Sequence, residues 1–238
     1  MQRKTQVLVT PVLCLIVGML TACTSKPAAH ASNTSGTTPP QSSRADDLQA
    51  AMDKLEGSIQ KPTTTFHASF KKSTSDGFSY ECEADISADG ITGQQTDNNP
   101  TTKIGDDVFP ANTRTRQLNG TPLGSPNFQY AYGSIHAYFN GHIGDAQPGV
   151  KYVGDEPVGG YDARHYEFDL AGVEADIKKA MELGNGMGMR QTKDYNMKGS
   201  AWIAKADGRM VKFAFDDIYT FSDGKIDSTH FEGLITKK

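Results

Sequence analysis

Phe78-Ser79-Tyr80-Glu81-Cys82-Glu83-Ala84-Asp85-Ile86 alternates apolar and polar side chains without a break. Successive side chains of a strand point to opposite faces, so Phe78, Tyr80, Cys82, Ala84 and Ile86 share a dry face and the acidic residues a wet one. Just upstream, Phe66, Ala68 and Phe70 alternate with His67, Ser69 and Lys71, and the loop between the runs carries Asp76-Gly77. Two such runs predict an antiparallel pair with one solvated side and one side that needs a cover. Cys82 falls on the dry side, which predicts a buried, inert thiol.

The preceding residues offer a cover. From Arg44 to Ile59, Leu48, Ala51, Met52, Leu55 and Ile59 recur at helical spacing and form one apolar stripe. Ser43 is the expected cap, Asp46 and Asp47 fall in the expected first turn, and Gly57 and Pro62 are the stop signals. Downstream, Gly90 to Thr96, Thr102 to Phe109 and Thr113 to Leu118 read as three short strands. A second helix is expected where Phe128, Tyr132, Ile135 and Phe139 share a side, ending at Asn140-Gly141. Strands resume from Tyr152, with a turn at Pro157 to Gly160 and a run, Tyr161 to Leu170, in which Tyr166, Phe168 and Leu170 face away from His165 and Glu167. Val173 to Leu183 predicts a third helix, followed by a Gly-rich, Met-bearing loop through Met187 and Met189. The C-terminal third reads as a meander, Met197 to Lys205, Arg209 to Phe221 and Lys225 to Thr236, with Asp207-Gly208 and Asp223-Gly224 as hairpin turns.

At the other end, Arg3 and Lys4 precede an apolar run from Val7 to Leu20 that closes on Leu20-Thr21-Ala22-Cys23. A basic start, an apolar core shorter than a membrane span and small exit residues describe a secretory signal peptide. The final tetrad resembles the bacterial lipobox, which implies that Cys23 receives a diacylglyceryl group and becomes the first mature residue. A plain signal peptide with an incidental cysteine is the other reading. Residues 1–22 are then removed, leaving 216 residues, and residues 23–43, rich in Ser, Thr, Pro and Ala, form a tether too polar to repay ordering. Residues 44–238 make one domain. The signal carries two basic residues and no acidic one, so the net charge moves from −4 to −6. With no Lys/Arg block, nucleic acid is not an expected partner. Cys14 leaves with the signal and Cys23 becomes a thioether, so Cys82 has no partner for an internal disulfide and the fold must rest on its apolar core. Two or three acyl chains give stable anchoring where one gives marginal binding.

Little in the chain points to chemistry. His136 and His142 are six apart on an expected helix, about 240° round, and do not share a face. His165 and Glu167 share a strand face, but no third ligand stands at a metal-site spacing, so no metal is expected. Nucleophile elbow, phosphate loop, dinucleotide fingerprint and His-Glu-x-x-His are all missing from the sequence, and neither catalysis nor a cofactor is expected. Asp216 and Asp217, adjacent in a strand, point to opposite faces, and Asp217 falls on the otherwise apolar one, as at a bulge or the mouth of the sheet. The Met187/Met189 loop and the aromatic helix read either as ordinary loop and core or as movable lining at the entrance to an apolar pocket.

Val158-Gly159-Gly160-Tyr161-Asp162-Ala163-Arg164-His165-Tyr166-Glu167-Phe168-Asp169 resembles the "v-x-G-v-x-t-x-h-Y-x-f-d" segment of LolA/LppX/LprG-like lipoproteins. Ala201-Trp202-Ile203-Ala204-Lys205-Ala206-Asp207-Gly208-Arg209-Met210-Val211-Lys212 is similar to that family's "vWiD-x-x-g-x-i-x-K" hairpin, with Ala204 for the usual Asp. Ile104 to Phe109 is similar to its "g-d-x-v-Y" strand, with Phe109 for Tyr. The resemblance runs in order from about Arg44 to the C-terminus. It implies an α+β fold, a curved antiparallel half-barrel of about 10–11 strands whose helices cover the concave face over an apolar cavity. It further implies a monomer of the bacterial cell envelope that carries a lipid or acyl chain. Met52, Phe128, Tyr132, Ile135, Met187, Met189 and Phe213 are the nominated cavity lining. A structural or assembly lipoprotein that binds another envelope protein is the second reading, and an envelope hydrolase the third.

Overall fold

Among the described residues, the runs of clean period-two alternation form sheet. The computed structural model describes residues 42–104, 106–123, 149–171 and 192–238, all within one unit, Pro39–Lys238. Helix α1 (Ser42–Gln60) is followed by β1 (Phe66–Thr74), β2 (Ser79–Ser87), β3 (Gly90–Asn99), β4 (Thr102–Ile104), β5 (Asp107–Phe109), β6 (Asn112–Thr121), β7 (Val150–Val158), β8 (Tyr161–Ala171), β9 (Thr192–Ala204), β10 (Met210–Phe221) and β11 (Ile226–Lys237). Nine of these strands form one antiparallel sheet in the order β6-β3-β2-β1-β11-β10-β9-β8-β7. The signal segment, Cys23, the tether and the second and third expected helices lie outside the described residues, as do Phe128, Tyr132, Ile135, Met187 and Met189.

Register keeps the dry residues together. Phe66, Ala68 and Phe70 of β1 stand opposite Ile86, Ala84 and Cys82 of β2, and Phe70 faces Gly233 of β11 on its other side. The row continues through Phe213 opposite Gly233, and Phe215 opposite Phe231. Gly233 is where a side chain has no room, since a Cβ there would stand 2.3 Å from the Phe213 ring. Gly208 and Gly224, the second residues of the two expected Asp-Gly turns, adopt φ of +71° and +80°, the left-handed region glycine enters freely.

Three local expectations are corrected. Thr102 to Phe109 is two strands rather than one, because Gly105-Asp106 is turn chemistry; β4 and β5 pair only with each other, pairing Thr102 with Phe109, and leave Val108 and Phe109 exposed. Helix α1 begins at Ser42, so Ser43 lies inside it and Asp46 and Asp47 fall beyond its first turn. Gly57 does not end α1: Lys61 N still donates to Gly57 O at 2.9 Å, and only then does Pro62 follow. A single glycine costs a helix about 1 kcal/mol, which the buried stripe outweighs.

Candidate functional site

The sheet has two chemically distinct faces. On the dry one, Phe70 and Phe213 stack at 6.4 Å, Phe213 and Phe215 lie 6.0 Å apart, and Phe215 and Phe231 stack at 4.9 Å. All four are buried, as are Leu48, Ala51, Met52, Leu55 and Ile59 of α1. Helix α1 packs against β10, β9 and β7, while the dry face runs on across β1, β2 and β3 through Phe66, Tyr80, Ile86 and Ile91. Of the nominated lining positions, Met52 and Phe213 are described; both are core residues, on two elements that pack together.

Asp217 interrupts this face. It follows Phe213 and Phe215 at alternate positions of β10, precedes Tyr219, and is fully buried. The bulge expected there is not found: β10 pairs regularly through Asp217, opposite Met197 of β9 and Thr229 of β11, with irregularities only at Met210/Lys212 and Thr220/Phe221. The Tyr195 hydroxyl is near enough to act on the carboxyl as a hydrogen-bond donor, although the pair falls short of ideal hydrogen-bonding geometry. Burial pushes the pKa up to about 7; the nearby Tyr195 hydroxyl and the charge of Lys72 oppose the rise without cancelling it. On the same face, burial raises the Cys82 thiol to about 11, with the Tyr80 hydroxyl working against the rise, and Cys82 is buried as its position predicts.

The wet face holds ion pairs and a shallow cleft of about 510 Å³ bordered by Ser69, Lys71, Glu83, Trp202, Lys212 and Leu234, among others. Trp202 is closed off on both ring faces: His165 stacks on it at 4.3 Å and the Lys212 ammonium lies 4.1 Å from its centroid. Its indole N–H donates to Glu156, whose Oε1 also stands 3.2 Å from His165 Nδ1. His165 therefore pairs with Glu156, which stands opposite Ala163, two residues from His165 along β8, rather than with Glu167, and Glu167 is exposed. No cluster of three or more metal-ligating side chains occurs among the described residues. His67 bridges Asp85 (2.9 Å) and Glu83 (2.8 Å), and His230 bridges Asp216 (2.8 Å) and Glu232 (3.0 Å). The Asp85 hydrogen bond, reinforced by Glu83, raises the His67 pKa against its burial. For His230 burial is the largest influence and lowers the pKa, but the Glu232 and Asp216 hydrogen bonds outweigh it and the net shift is upward.

Sequence spacing located Asp217 on the dry face but not its partners, since Tyr195 and Lys72 come from other strands. The Trp202 enclosure was invisible for the same reason.

The chain is thus an α+β protein, a large antiparallel sheet with a helix across one face. No protein-family model matches it, and no curated protein does. Among solved structures it is similar to the crystal structure of LprF from Mycobacterium bovis, at 10% identity and a TM-score of 0.34, over 81% of this chain and 92% of that one. A likeness that loose bears on neither ligand nor activity.

Proposed function

We propose that this chain is an exported lipoprotein of the bacterial cell envelope, anchored through Cys23, that binds a lipid or acyl chain against the dry face of a curved half-barrel and carries or transfers it. The contact between the β7–β8 turn and the end of β11 carries the reading. Lys237 N donates to Gly159 O at 3.0 Å, although β10 and β9 stand between β11 and β8. In a flat sheet those strands would be roughly 14 Å apart, so the hydrogen bond favours a sheet that curls at this end. Arg209 supports the same sense of curl: its guanidinium lies 5.4 Å from the Phe66 ring of β1 and 5.3 Å from the Tyr161 ring of β8.

Such a face suits carriage. Each buried CH₂ contributes about 0.8 kcal/mol, so a sixteen-carbon chain gains on the order of 12 kcal/mol in a bilayer or in an apolar cavity alike. Transfer between the two is then nearly isoenergetic and needs no catalytic group. In this reading Met52 and Phe213, with Phe128, Tyr132, Ile135, Met187 and Met189, line the cavity. Native mass spectrometry of the full chain, extracted from membranes in mild detergent, tests the proposal. A retained lipid mass is expected; a mass without lipid would overturn carriage and leave the assembly-module reading.

A further inference from the structure

The two ends of the nine-stranded sheet are guarded differently. Among the described residues β7 pairs only with β8 and β6 only with β3, so each turns alternate backbone N–H and C=O groups outward. Strand β7 carries two devices that keep an edge from pairing: Pro157, which has no N–H to offer, and an irregularity between Tyr152 and Gly154. Strand β6 carries neither. From Asn112 to Asn119 it holds no proline and stays in regular register with β3, and Asn112 to Gln117 are all exposed. Leu118 is buried on the dry side; Arg116 and Arg114 follow it at alternate positions, with Thr113, Thr115 and Gln117 on the other side. Neither arginine forms an ion pair among the described residues. The register of β3 with β6 continues into β4 and β5, Thr102 opposite Phe109 as Asn99 is opposite Asn112. Val108 and Phe109 on that extension are 62% and 51% exposed.

We infer that β6 is the docking edge for an extended, acidic segment of a partner protein, which adds a strand there and sets carboxylates against Arg114 and Arg116. Backbone pairing along an open edge supplies affinity whatever the sequence, and the side chains opposite it supply the choice. Carboxylates two residues apart on the incoming strand fall on one side and meet both arginines at once, each guanidinium offering a fork of donors that fits a carboxylate. The residues between them face Thr113, Thr115 and Gln117, a polar surface. Val108 and Phe109 give the same strand an apolar contact where it leaves the edge. A second copy of the chain is the wrong partner. Two β6 strands centred on one another, antiparallel and with dry sides together, would bring arginine against arginine, which repels. The pattern thus rejects self-association by the same charges that select the partner. This edge is independent of carriage, since it lies open whether or not the dry face holds a lipid.

Fluorescence anisotropy with the full-length protein, in mild detergent at low salt, reads the interaction. The probe is a labelled synthetic peptide that alternates glutamate with threonine. One control replaces every glutamate by glutamine; another arranges the same residues in Glu-Glu-Thr-Thr repeats, so that no two glutamates stand two apart. Saturable binding of the alternating peptide is expected, about tenfold tighter than the glutamine control, as two opposite-charge cross-strand pairs provide, and tighter than the repeat control. Hydrogen exchange is expected to slow in β6 on binding and to stay unchanged in β7. Arg114→Glu combined with Arg116→Glu is expected to keep the melting temperature, lose the glutamate peptide and take up a lysine–threonine peptide instead. If that pair of changes unfolds the protein, Arg114→Gln with Arg116→Gln is expected to abolish the preference for glutamate over glutamine. Equal binding of the glutamate and glutamine peptides, or a preference that survives loss of both arginines, overturns the inference. So does equal binding of the repeat control or exchange in β6 that does not slow, since either result means charge attraction without strand pairing.

Discussion

Asp217 couples the stability of the fold to pH. Its folded pKa of about 7 lies above the ordinary carboxylate value, so the folded state holds a proton that the unfolded state has already released. Stability contributed by that proton is complete below about pH 4 and is lost as pH rises through about 7. The difference across the window is on the order of 4 kcal/mol. Asp217→Asn cannot titrate, so the variant is expected to melt well above the wild type at pH 8 and close to it at pH 4. Thermal melts followed by circular dichroism across that range check the sign; a variant no more stable at pH 8 would show that the carboxylate is satisfied when folded. Cys82 predicts the opposite kind of silence. Its buried thiol, raised to about 11, is expected to stay unmodified by a thiol reagent at pH 8 until denaturant is added, and prompt labelling of the native protein would place it at the surface.

Two elements, β11 and α1, meet the sheet by different means. Gly233 lets the Phe213 ring lie directly against the β11 backbone, where a Cβ would come within 2.3 Å of it. Gly233→Ala must therefore push Phe213 out of the Phe70–Phe213–Phe215 series, at a cost of about 1–3 kcal/mol, read as a lower denaturant midpoint with an unchanged slope. Helix α1 is held by its stripe rather than by propensity. Leu55 is fully buried, and Leu55→Ala is expected to cost about 2–5 kcal/mol. A loss under 1 kcal/mol in chemical denaturation would show that α1 is only loosely seated. Sequence periodicity made both elements legible, since burial repeats every two residues in a strand and every three or four in a helix. It misjudged Thr102 to Phe109 and the ends of α1 because short-range signals there compete: turn residues inside an alternating run, and a glycine inside a stripe whose packing keeps the helix going.

For the whole molecule, charge and anchoring act on opposite sides of the problem. His67 and His230 both have raised pKa values on the wet face. Their contribution is fully present below about 6.5, the unfolded value, and is lost as pH rises through the folded one, the same direction as Asp217. Both are more than a third exposed, or nearly so, and solvent screening keeps such pairs small. His67→Gln with His230→Gln is therefore expected to flatten the pH dependence of the melting temperature only slightly, whereas Asp217→Asn removes most of it. A larger effect from the histidines would reverse that ranking. Under the lipoprotein proposal, Cys23→Ser is expected to leave the fold untouched and to move the protein from the membrane fraction to the soluble one, because residues 23–238 alone carry a net charge of −6, which offers an anionic membrane no attraction. Continued membrane association of that variant would count against the lipobox reading.

The sequence by itself determined what depends on neighbours along the chain: the dry and wet sides of the strands, the Asp-Gly turns, the stripe of α1 and the misfit of Asp217. Only the tertiary structure decided what depends on neighbours across it. The strand order brings Phe70, Phe213, Phe215 and Phe231 into one row. Register seals Asp217 between two strands, and the β7–β8 turn reaches β11 over the two strands between. Trp202 is enclosed by His165 and Lys212 from either side. Periodicity carries a residue's direction, but a partner's identity is a property of pairing between distant segments, and no local spacing encodes it.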